Sequence, residues 1–318
     1  MFREERSYFA PEVDAHYWGV ELRSPNLRIA RMVMKNVTSD YGLLERATPF
    51  SGNSTRSCLT LVIEGEGRFD ELGRRAFTKA GDLLVSDQRA RGTEAYTGTS
   101  SEILVLEWDP RVFGAPVRGR FRQVRLGLRE RGVLRSLARR LSGPSPAPFA
   151  VALLDRLRAY GLPFVSVAEG DLADRTSEAD RRLSAEVARQ LSQLTSHPSI
   201  DDLTDALGWT TRHVNRRFAA LARAHGMPFH HWRALLHHTR LLTASRLMSA
   251  PGATTELVAR LTGFRSPTAL CHAFAKASWP SPGTLARLAK RDVLDAWGAF
   301  AAPSASSAFE ERAAMHVG

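Results

Sequence analysis

At 318 residues, with 43% hydrophobic and 24% charged residues, the chain has the composition of a soluble protein long enough for two domains, and no apolar run could span a membrane. Its net charge of +11 is concentrated in residues 176–291, where 16 Lys and Arg face 7 Asp and Glu, an excess that suits a polyanion because neutralised phosphates release counterions. The distant Cys58 and Cys271 exclude a disulfide framework, and no secretory signal is predicted, so a cytoplasmic location is expected.

The first part of the chain has the pattern of short strands between turns over residues 26–110. Apolar runs at Leu59–Ile63, Leu83–Val85 and Ile103–Leu106 are separated by turns such as Ala80-Gly81-Asp82. Turn residues recurring about every 8–12 positions between β-branched runs predict a sandwich or small barrel.

Helical spacing replaces this pattern at residues 121–141 and 149–160. The first of these helices is rich in arginine, and its leucine stripe either forms a dimer interface or packs on the strands of the same chain. A linker is expected at 166–177, a mostly helical region at 178–291, and a partly disordered extension at 292–318.

A helix-turn-helix pattern begins at Ser199, which has the N-cap position of a capping box with Asp202. Gly208 ends this helix, and a second helix begins near Thr210. At 3.6 residues per turn, the second helix has an apolar face and a polar face: Val214, Phe218 and Leu221 on one, Arg212, Asn215 and Arg216 on the other.

The same helix-turn-helix pattern is repeated about 55 residues later. Thr254 caps a helix that ends at Gly263, and the next helix directs Leu270 and Phe274 inward while Thr268, Cys271 and His272 face outward. A long helix over 228–249 joins the two copies. Paired helices with a glycine turn indicate helix-turn-helix units, whose second helix enters the major groove of DNA.

The stretch from about 180 to 290 resembles the DNA-binding domain of AraC-type transcription regulators, which has two helix-turn-helix units joined by one helix. The resemblance is carried by Gly263-Phe264, Phe274 and Ser281-Pro282, and in the joining helix by Arg240, Leu241 and Ala244. The chain departs from the family's usual pattern at Thr204, at Trp279 and in the loop "GMPF". These departures leave both polar faces intact.

The resemblance implies roles for particular residues. Base contacts are assigned to one set, Arg212, Asn215, Arg216, Thr268, Cys271 and His272, and phosphate contacts to another, Thr210, Arg217, Arg265 and Lys276. Arginine suits guanine, asparagine suits adenine, and a threonine methyl suits thymine. The other interpretation is that these exposed polar residues are only solvated.

The strand-rich part, residues 1–165, resembles the cupin-like sensory domain of many AraC-type regulators. Catalytic cupins hold a metal with clustered histidines, whereas His16 is the single histidine in residues 1–175. Neither a metal, a cofactor nor an enzyme activity is therefore expected.

The effector of this strand-rich part is unknown. Arg56, which precedes a predicted strand, is a candidate contact for an anion, or else a surface arginine. Tyr17, Trp18, Phe50 and Phe69 line a pocket or belong to the core.

The sequence thus predicts an α+β protein: a cupin-like β-barrel or sandwich with a helical dimerisation segment, followed by an all-α double helix-turn-helix domain. Its expected function is sequence-specific regulation of transcription on a double-stranded DNA operator. The expected partners are a second copy of the chain, a small effector and RNA polymerase. The alternative is an architectural nucleic-acid-binding protein without ligand control, and an enzyme built on the barrel is the third hypothesis.

Overall fold

The computed structural model describes residues 2–40, 57–112 and 122–287, apart from positions 25, 72–73, 88–91, 97–99, 110–111, 144, 163, 169–171, 173–176, 226 and 228. Arg56, Phe50 and the predicted extension 292–318 lie outside these residues. None of the described helices is long and apolar enough to cross a membrane.

Within the described residues, eleven antiparallel strands form two sheets. The larger sheet has the strand order β1-β2-β3-β10-β5-β8-β11, and the smaller one has the order β4-β9-β6-β7. The strands are β1 (Phe2–Ala10), β2 (Ala15–Arg23), β3 (Leu27–Lys35), β4 (Val37–Asp40), β5 (Ser57–Glu64), β6 (Glu66–Glu71), β7 (Arg74–Lys79), β8 (Asp82–Asp87), β9 (Gly92–Tyr96), β10 (Ser101–Trp108) and β11 (Arg122–Arg125).

The larger sheet is buried on both faces, which explains why its central strands have continuous apolar runs. In β10, Ile103 and Val105 point towards the smaller sheet and meet Phe69, whereas Leu104, Leu106 and Trp108 point to the opposite face. Tyr17 and Phe69 therefore belong to a filled core between the sheets. The predicted strands around Leu59, Leu83 and Ile103 are confirmed as β5, β8 and β10.

Two helices cover that opposite face: α1 (Leu128–Arg140) and α2 (Ala147–Ala159). The predicted helix 121–141 was wrong at its start, because Arg122–Arg125 pair with Val85–Asp82 as an edge strand. The leucine stripe packs against the sheet of the same chain through Leu134, Leu141 and Leu154, whereas Leu128 is 79% exposed. Val167 and Leu172, placed in the predicted linker, are buried in this same core.

The C-terminal region contains α3 (Glu178–Leu191), α4 (Ile200–Leu207), α5 (Thr211–Ala224), α6 (Trp232–Leu247), α7 (Thr255–Leu261) and α8 (Pro267–Lys276). Residues 282–287 are helical as well. A 3₁₀ turn, Leu194–Ser196, connects α3 to α4. We call α4–α5 the first unit and α7–α8 the second unit. The antiparallel sheets followed by this helical region confirm the predicted α+β class.

The capping box at the start of α4 is formed as predicted. Ser199 Oγ accepts a hydrogen bond from Asp202 N at 3.2 Å, and Asp202 Oδ2 accepts one from Ser199 N at 2.7 Å. Ser199 Oγ also donates to Asp202 Oδ2 at 2.7 Å, and this bond together with the one from Ser199 N lowers the pKa of the Asp202 carboxyl. The box therefore fixes the first residue of α4.

Replacing Ser199 with alanine is expected to lower the free energy of unfolding by about 1 kcal/mol, because an orphan helix N–H loses its acceptor. Chemical denaturation at neutral pH measures the change. Ser196→Ala is the control, since the Ser196 hydroxyl donates only to the carbonyl of Gln193 within its own turn. Equal losses in the two variants would contradict the role of the cap.

An N-terminal hairpin, β1–β2, connects the strands to the helical region. The predicted strands began near residue 26, so this hairpin was missed. Its tip carries Ala10, Val13 and Ala15, which are buried in one core with α6, α7 and α8. Glu12 on the tip lies 3.5 Å from the Arg260 guanidinium of α7. The edge of the larger sheet thus contacts the second unit directly.

Candidate nucleic-acid interface

The first unit turns at Gly208, whose φ of +68° is left-handed backbone that glycine adopts without steric cost. Helix α5 then begins, with the Thr210 hydroxyl accepting from His213 N at 3.3 Å. Val214, Phe218 and Leu221 are buried against α3, α4 and the start of α6. This packing fixes which side of α5 faces outward.

The outward side of α5 contains the three predicted base contacts. Arg212 and Arg216 are exposed, and Asn215 is partly exposed. The Arg216 guanidinium lies 3.3 Å from Nδ1 of His213. We call Arg212, Asn215 and Arg216 the first recognition surface. It presents two guanidinium groups and one amide, the groups that read guanine and adenine edges.

The second unit repeats this arrangement. Gly263 turns the chain with φ of +73°, and Ser266 caps α8 by accepting from Ala269 N at 3.1 Å. Leu270 and Phe274 are buried, whereas Thr268, Cys271 and His272 are exposed. We call these three exposed residues the second recognition surface.

The two units correspond position by position. Counted from the N-caps Thr210 and Ser266, the first buried residue comes at the fourth position and the buried phenylalanine at the eighth in both helices. The exposed residues follow the same offsets. The turn of the second unit is one residue longer: two residues, rather than one, lie between the glycine and the N-cap. The pattern that occurs twice in the sequence therefore corresponds to a structural repeat.

One helix joins the two units. The N-terminal half of α6 contributes Trp232 and Leu235 to the core of the first unit, and its C-terminal half contributes Leu242 and Leu247 to the core of the second. Ten of its sixteen residues are buried. Because α6 packs into both cores, it sets the spacing between the two recognition surfaces.

The predicted phosphate contacts differ in their surroundings. Thr210, Arg265 and Lys276 are exposed beside the recognition surfaces. Arg217 instead reaches α3: its Nη2 lies 3.1 Å from Asp180 Oδ1 and donates to Ser177 Oγ at 2.7 Å. Arg217 therefore ties α3 to α5 in this structure, and its contact with phosphate stays a prediction.

A further basic cluster, missed in the sequence, lies beside the second unit. Burial, followed by the charges of Lys276 and Arg240, lowers the pKa of His237. Burial also lowers the pKa of Arg240, whose Nε approaches Gly263 in the turn. His237 packs edge-on against Phe264 of the same turn, with ring centroids 6.4 Å apart. We call His237, Arg240 and Lys276 the basic cluster.

The basic cluster places the cations of Arg240 and Lys276 beside His237, whose lowered pKa leaves the imidazole neutral at neutral pH, so an anion bound there would meet two positive charges. The sequence indicated Arg240 and Lys276 for separate reasons, and nothing in it joins either residue to His237. Only the packing of α6 on α8 places them together. One signal was present in the sequence: Arg233, His237 and Arg240 recur at helical spacing, which places them on one side of α6.

The charged groups of the strand-rich region are arranged differently from those of the basic cluster. No group of three or more potential metal ligands occurs among the described residues. On the inner face of the larger sheet, Arg28 is partly buried and pairs with Glu107 and, at 2.9 Å, with Glu21. Burial opposes its charge, yet the two carboxylates keep the pKa of Arg28 above its usual value. Arg23 also pairs with Glu21, so two cations and two carboxylates balance one another here, unlike the charges of the basic cluster.

No protein-family model and no curated protein sequence matches the chain. Among solved structures, ToxT from Vibrio cholerae with bound unsaturated fatty acid is 12% identical, covering 90% of this chain and 97% of its own, with a TM-score of 0.32. The AraC-like transcriptional activator CuxR is 12% identical over 71% of this chain and 88% of its own, with a TM-score of 0.34. KdgF from Halomonas sp. is 10% identical over 32% of this chain and 84% of its own, with a TM-score of 0.25.

At these identities and TM-scores the likenesses establish neither the fold nor the function of this chain. The structure of the chain itself can be compared with the prediction from the sequence. Antiparallel sheets with two covering helices precede two helix-turn-helix units joined by one helix. That is the architecture which the resemblance to AraC-type regulators implied.

Proposed function

We propose that this protein is a sequence-specific DNA-binding regulator of transcription. The observation that carries the proposal is the pair of equivalent helices, α5 and α8, each with a buried apolar face and an exposed polar face at the same offsets from its N-cap. A single recognition helix reads only a few base pairs, whereas two on one rigid support read a longer site.

In the proposed complex, α5 and α8 enter successive major grooves on one face of the duplex, about 10 bp apart. The first recognition surface supplies the stronger base readers, because Arg212 and Arg216 are exposed guanidinium groups. The second supplies a threonine methyl, a thiol and an imidazole, so it contributes position more than sequence. Thr210, Arg265 and the basic cluster bind phosphates on either side.

Control by the N-terminal region is the finer part of the proposal. A small effector or dimerisation would change how the two units are presented, and a bound regulator would then act on RNA polymerase. Because the buried leucines of α1 pack within the chain, a dimer through this segment would use its outer surface, where Leu128 is exposed. A cytoplasmic location follows from this function.

The architectural alternative differs in one testable respect. A protein that only bends or coats DNA would bind all sequences with similar affinity, since phosphate contacts carry no sequence information. The exposed side chains of α5 and α8 favour the sequence-specific reading. An enzyme built on the sheets is the less favoured hypothesis, and we propose no catalytic residue.

Selection of duplexes from a random DNA library by the full chain tests the proposal. We expect an enriched site with two short conserved blocks about one helical turn apart, which hydroxyl-radical footprinting should show as two protected patches on one face. Footprinting on the DNA that flanks its own gene then locates the natural operator. Binding without enrichment of any sequence would support the architectural alternative and refute this one.

Lys276→Ala is expected to weaken binding to specific and nonspecific DNA alike and to reduce the salt slope of log K by roughly one, since one phosphate contact is lost. Affinity measured over a range of salt concentrations gives the slope. Arg287→Ala is a matched control, because Arg287 is exposed and its guanidinium contacts Thr284 of its own turn. An unchanged slope for Lys276→Ala would remove this residue from the phosphate contacts.

A further inference from the structure

At the start of α5, contacts between three side chains lead to Arg216, one of the residues of the first recognition surface. The Trp209 ring meets the His213 ring nearly edge-on, with ring centroids 4.8 Å apart and an interplanar angle of 67°. Nδ1 of the same imidazole lies 3.3 Å from Nη2 of Arg216. These contacts connect the turn before α5 to a guanidinium on the exposed side of the helix.

The first two members of this group are held in place by packing. Trp209 is partly buried against the core of the first unit, and the Arg182 guanidinium carbon lies 5.9 Å from the centroid of its ring. His213 is only partly exposed, and its backbone N–H donates to the hydroxyl of Thr210. The imidazole therefore has a defined orientation, because both its backbone and its ring are in contact with neighbours.

The hydrogen bond between the two side chains has one possible direction. A guanidinium has five N–H donors and no acceptor, so Arg216 donates and Nδ1 of His213 accepts. The imidazole in this contact is neutral, with its proton on Nε2. Because the contact uses one N–H of the guanidinium, the others stay available for O6 and N7, the two acceptors of a guanine.

A neutral acceptor leaves the positive charge of Arg216 uncancelled. The next residue shows the alternative, since the guanidinium of Arg217 pairs with Asp180 at 3.1 Å. A carboxylate neutralises an arginine and competes with a base for its N–H groups. Arg216 forms no ion pair within the described part of the chain. Its orientation is thus restricted without loss of charge.

The second unit has no equivalent of this contact. Counted from the N-caps, Ala269 takes the position of His213, and His272 takes that of Arg216. An alanine side chain cannot accept a hydrogen bond, so α8 does not orient its exposed residue in this way. The contact is therefore a property of the first unit and not a requirement of the helix-turn-helix arrangement.

We propose that His213 is a positioning residue for base readout: it accepts a hydrogen bond from Arg216 and holds that guanidinium in the orientation that contacts one guanine of the operator. The inference rests on the proposed function, since it needs a DNA site that α5 reads. A side chain that is already held loses less rotamer entropy on binding. The expected gain in affinity is roughly three- to tenfold, confined to duplexes that carry this guanine.

Modified duplexes of the site selected from the random library identify that guanine. 7-Deazaguanine replaces N7 with a C–H group, which removes one acceptor of an arginine contact and keeps the base pair. Each guanine of the block read by the first unit is replaced in turn, and the loss of affinity is the penalty at that position. In Arg216→Ala the penalty is expected to disappear at one position. If it disappears at none, Arg216 reads no guanine and the proposal is overturned.

His213→Ala is expected to reduce the penalty at this guanine by the factor given above. The penalties at the other guanines and the affinity for a scrambled duplex stay unchanged. If His213→Ala does not fold, His213→Leu, which keeps an apolar contact with Trp209 and lacks the acceptor, is expected to show the same loss. His231→Ala is the control, because His231 is exposed and its side chain forms no capping hydrogen bond at the start of α6.

Two further variants separate positioning from a merely structural role. His213→Asn is expected to restore most of the penalty, because an asparagine Oδ1 lies close to the place of Nδ1 and accepts the same hydrogen bond. Added to Arg216→Ala, the His213→Ala change is expected to have no further effect, since the residue that it positions is gone. Failure of His213→Asn to rescue, or an additional loss in the double variant, refutes the role.

The outcomes distinguish this proposal from the proposed function. If the wild type enriches no DNA sequence, the regulator and the positioning role are refuted together. If it enriches a site, and Arg216→Ala loses one guanine while His213→Ala keeps the full penalty there, only the positioning role is refuted. Equal losses on operator and scrambled duplex in His213→Ala also refute it, because His213 would then contact phosphate.

Discussion

Gly263→Ala is expected to lower the free energy of unfolding by about 3 kcal/mol, from left-handed backbone strain and a steric clash together. Gly263 has φ of +73°, and a Cβ atom added there would lie 2.3 Å from the carbonyl oxygen of Leu194. That oxygen belongs to the backbone, so relief requires the second unit to move away from the 3₁₀ turn. Urea denaturation measures the loss.

Two glycines of similar conformation separate the strain from the clash. Gly252 has φ of +76° and Gly208 has φ of +68°, and an added Cβ would have nothing within 4 Å at either position. Alanine at these positions is expected to cost about 1 kcal/mol, the left-handed strain alone. Losses of the same size in all three variants would show that the close approach to Leu194 is not a constraint.

The Gly263→Ala and Gly208→Ala variants are also expected to differ in DNA binding. Moving the turn at Gly263 shifts α8 relative to α5, because α8 begins four residues later and Arg240 packs against the turn. At a temperature where Gly263→Ala is still folded, we expect it to bind the selected operator more weakly than Gly208→Ala does. Equal operator affinity in these two variants would mean that the spacing of the units is not set at this contact.

Arg212→Ala is expected to weaken binding to the selected operator by about 1–3 kcal/mol, roughly fivefold to more than a hundredfold, while nonspecific binding barely changes. Arg212 is exposed in the first turn of α5, the part of a recognition helix that reaches base edges. Titrations of operator and scrambled duplex at one fixed salt concentration measure both affinities.

Arg223→Ala is the matched control for this variant. Arg223 is exposed on the same helix but lies in its last turn, three turns from Arg212. Its loss is expected to change operator affinity little. If Arg212→Ala weakens operator and scrambled duplex equally, Arg212 contacts phosphate, and the base-reading role passes to Arg216 or Asn215.

The sequence alone predicted those features whose interactions are local. The capping box of Ser199 and Asp202, the N-caps Thr210 and Thr254, and the turn at Gly208 each depend on residues within four positions. The helical repeat likewise separates Val214 and Phe218 from the polar face of α5. Short-range hydrogen bonding and helical periodicity therefore sufficed for both units.

Edge strands were harder to predict. Arg122–Arg125 form β11 at one edge of the larger sheet, and Phe2–Ala10 form β1 at the other. Each has few apolar residues in an alternating pattern, because an edge strand is partly solvated and gains its stability from pairing with a neighbour. The arginine-rich β11 was consequently taken as the start of a helix.

The chain's sequence determined that two helices with one apolar and one polar face exist, where each begins, and which side chains each one exposes, because these properties depend on neighbours within a turn or two. Only the tertiary structure decided what surrounds them. The ion pair of Arg217 with Asp180, the meeting of His237 with Lys276, and the docking of Val13 on the second unit join residues from about 35 to more than 200 positions apart. Such contacts follow from how packed cores orient whole elements, and no local pattern encodes them.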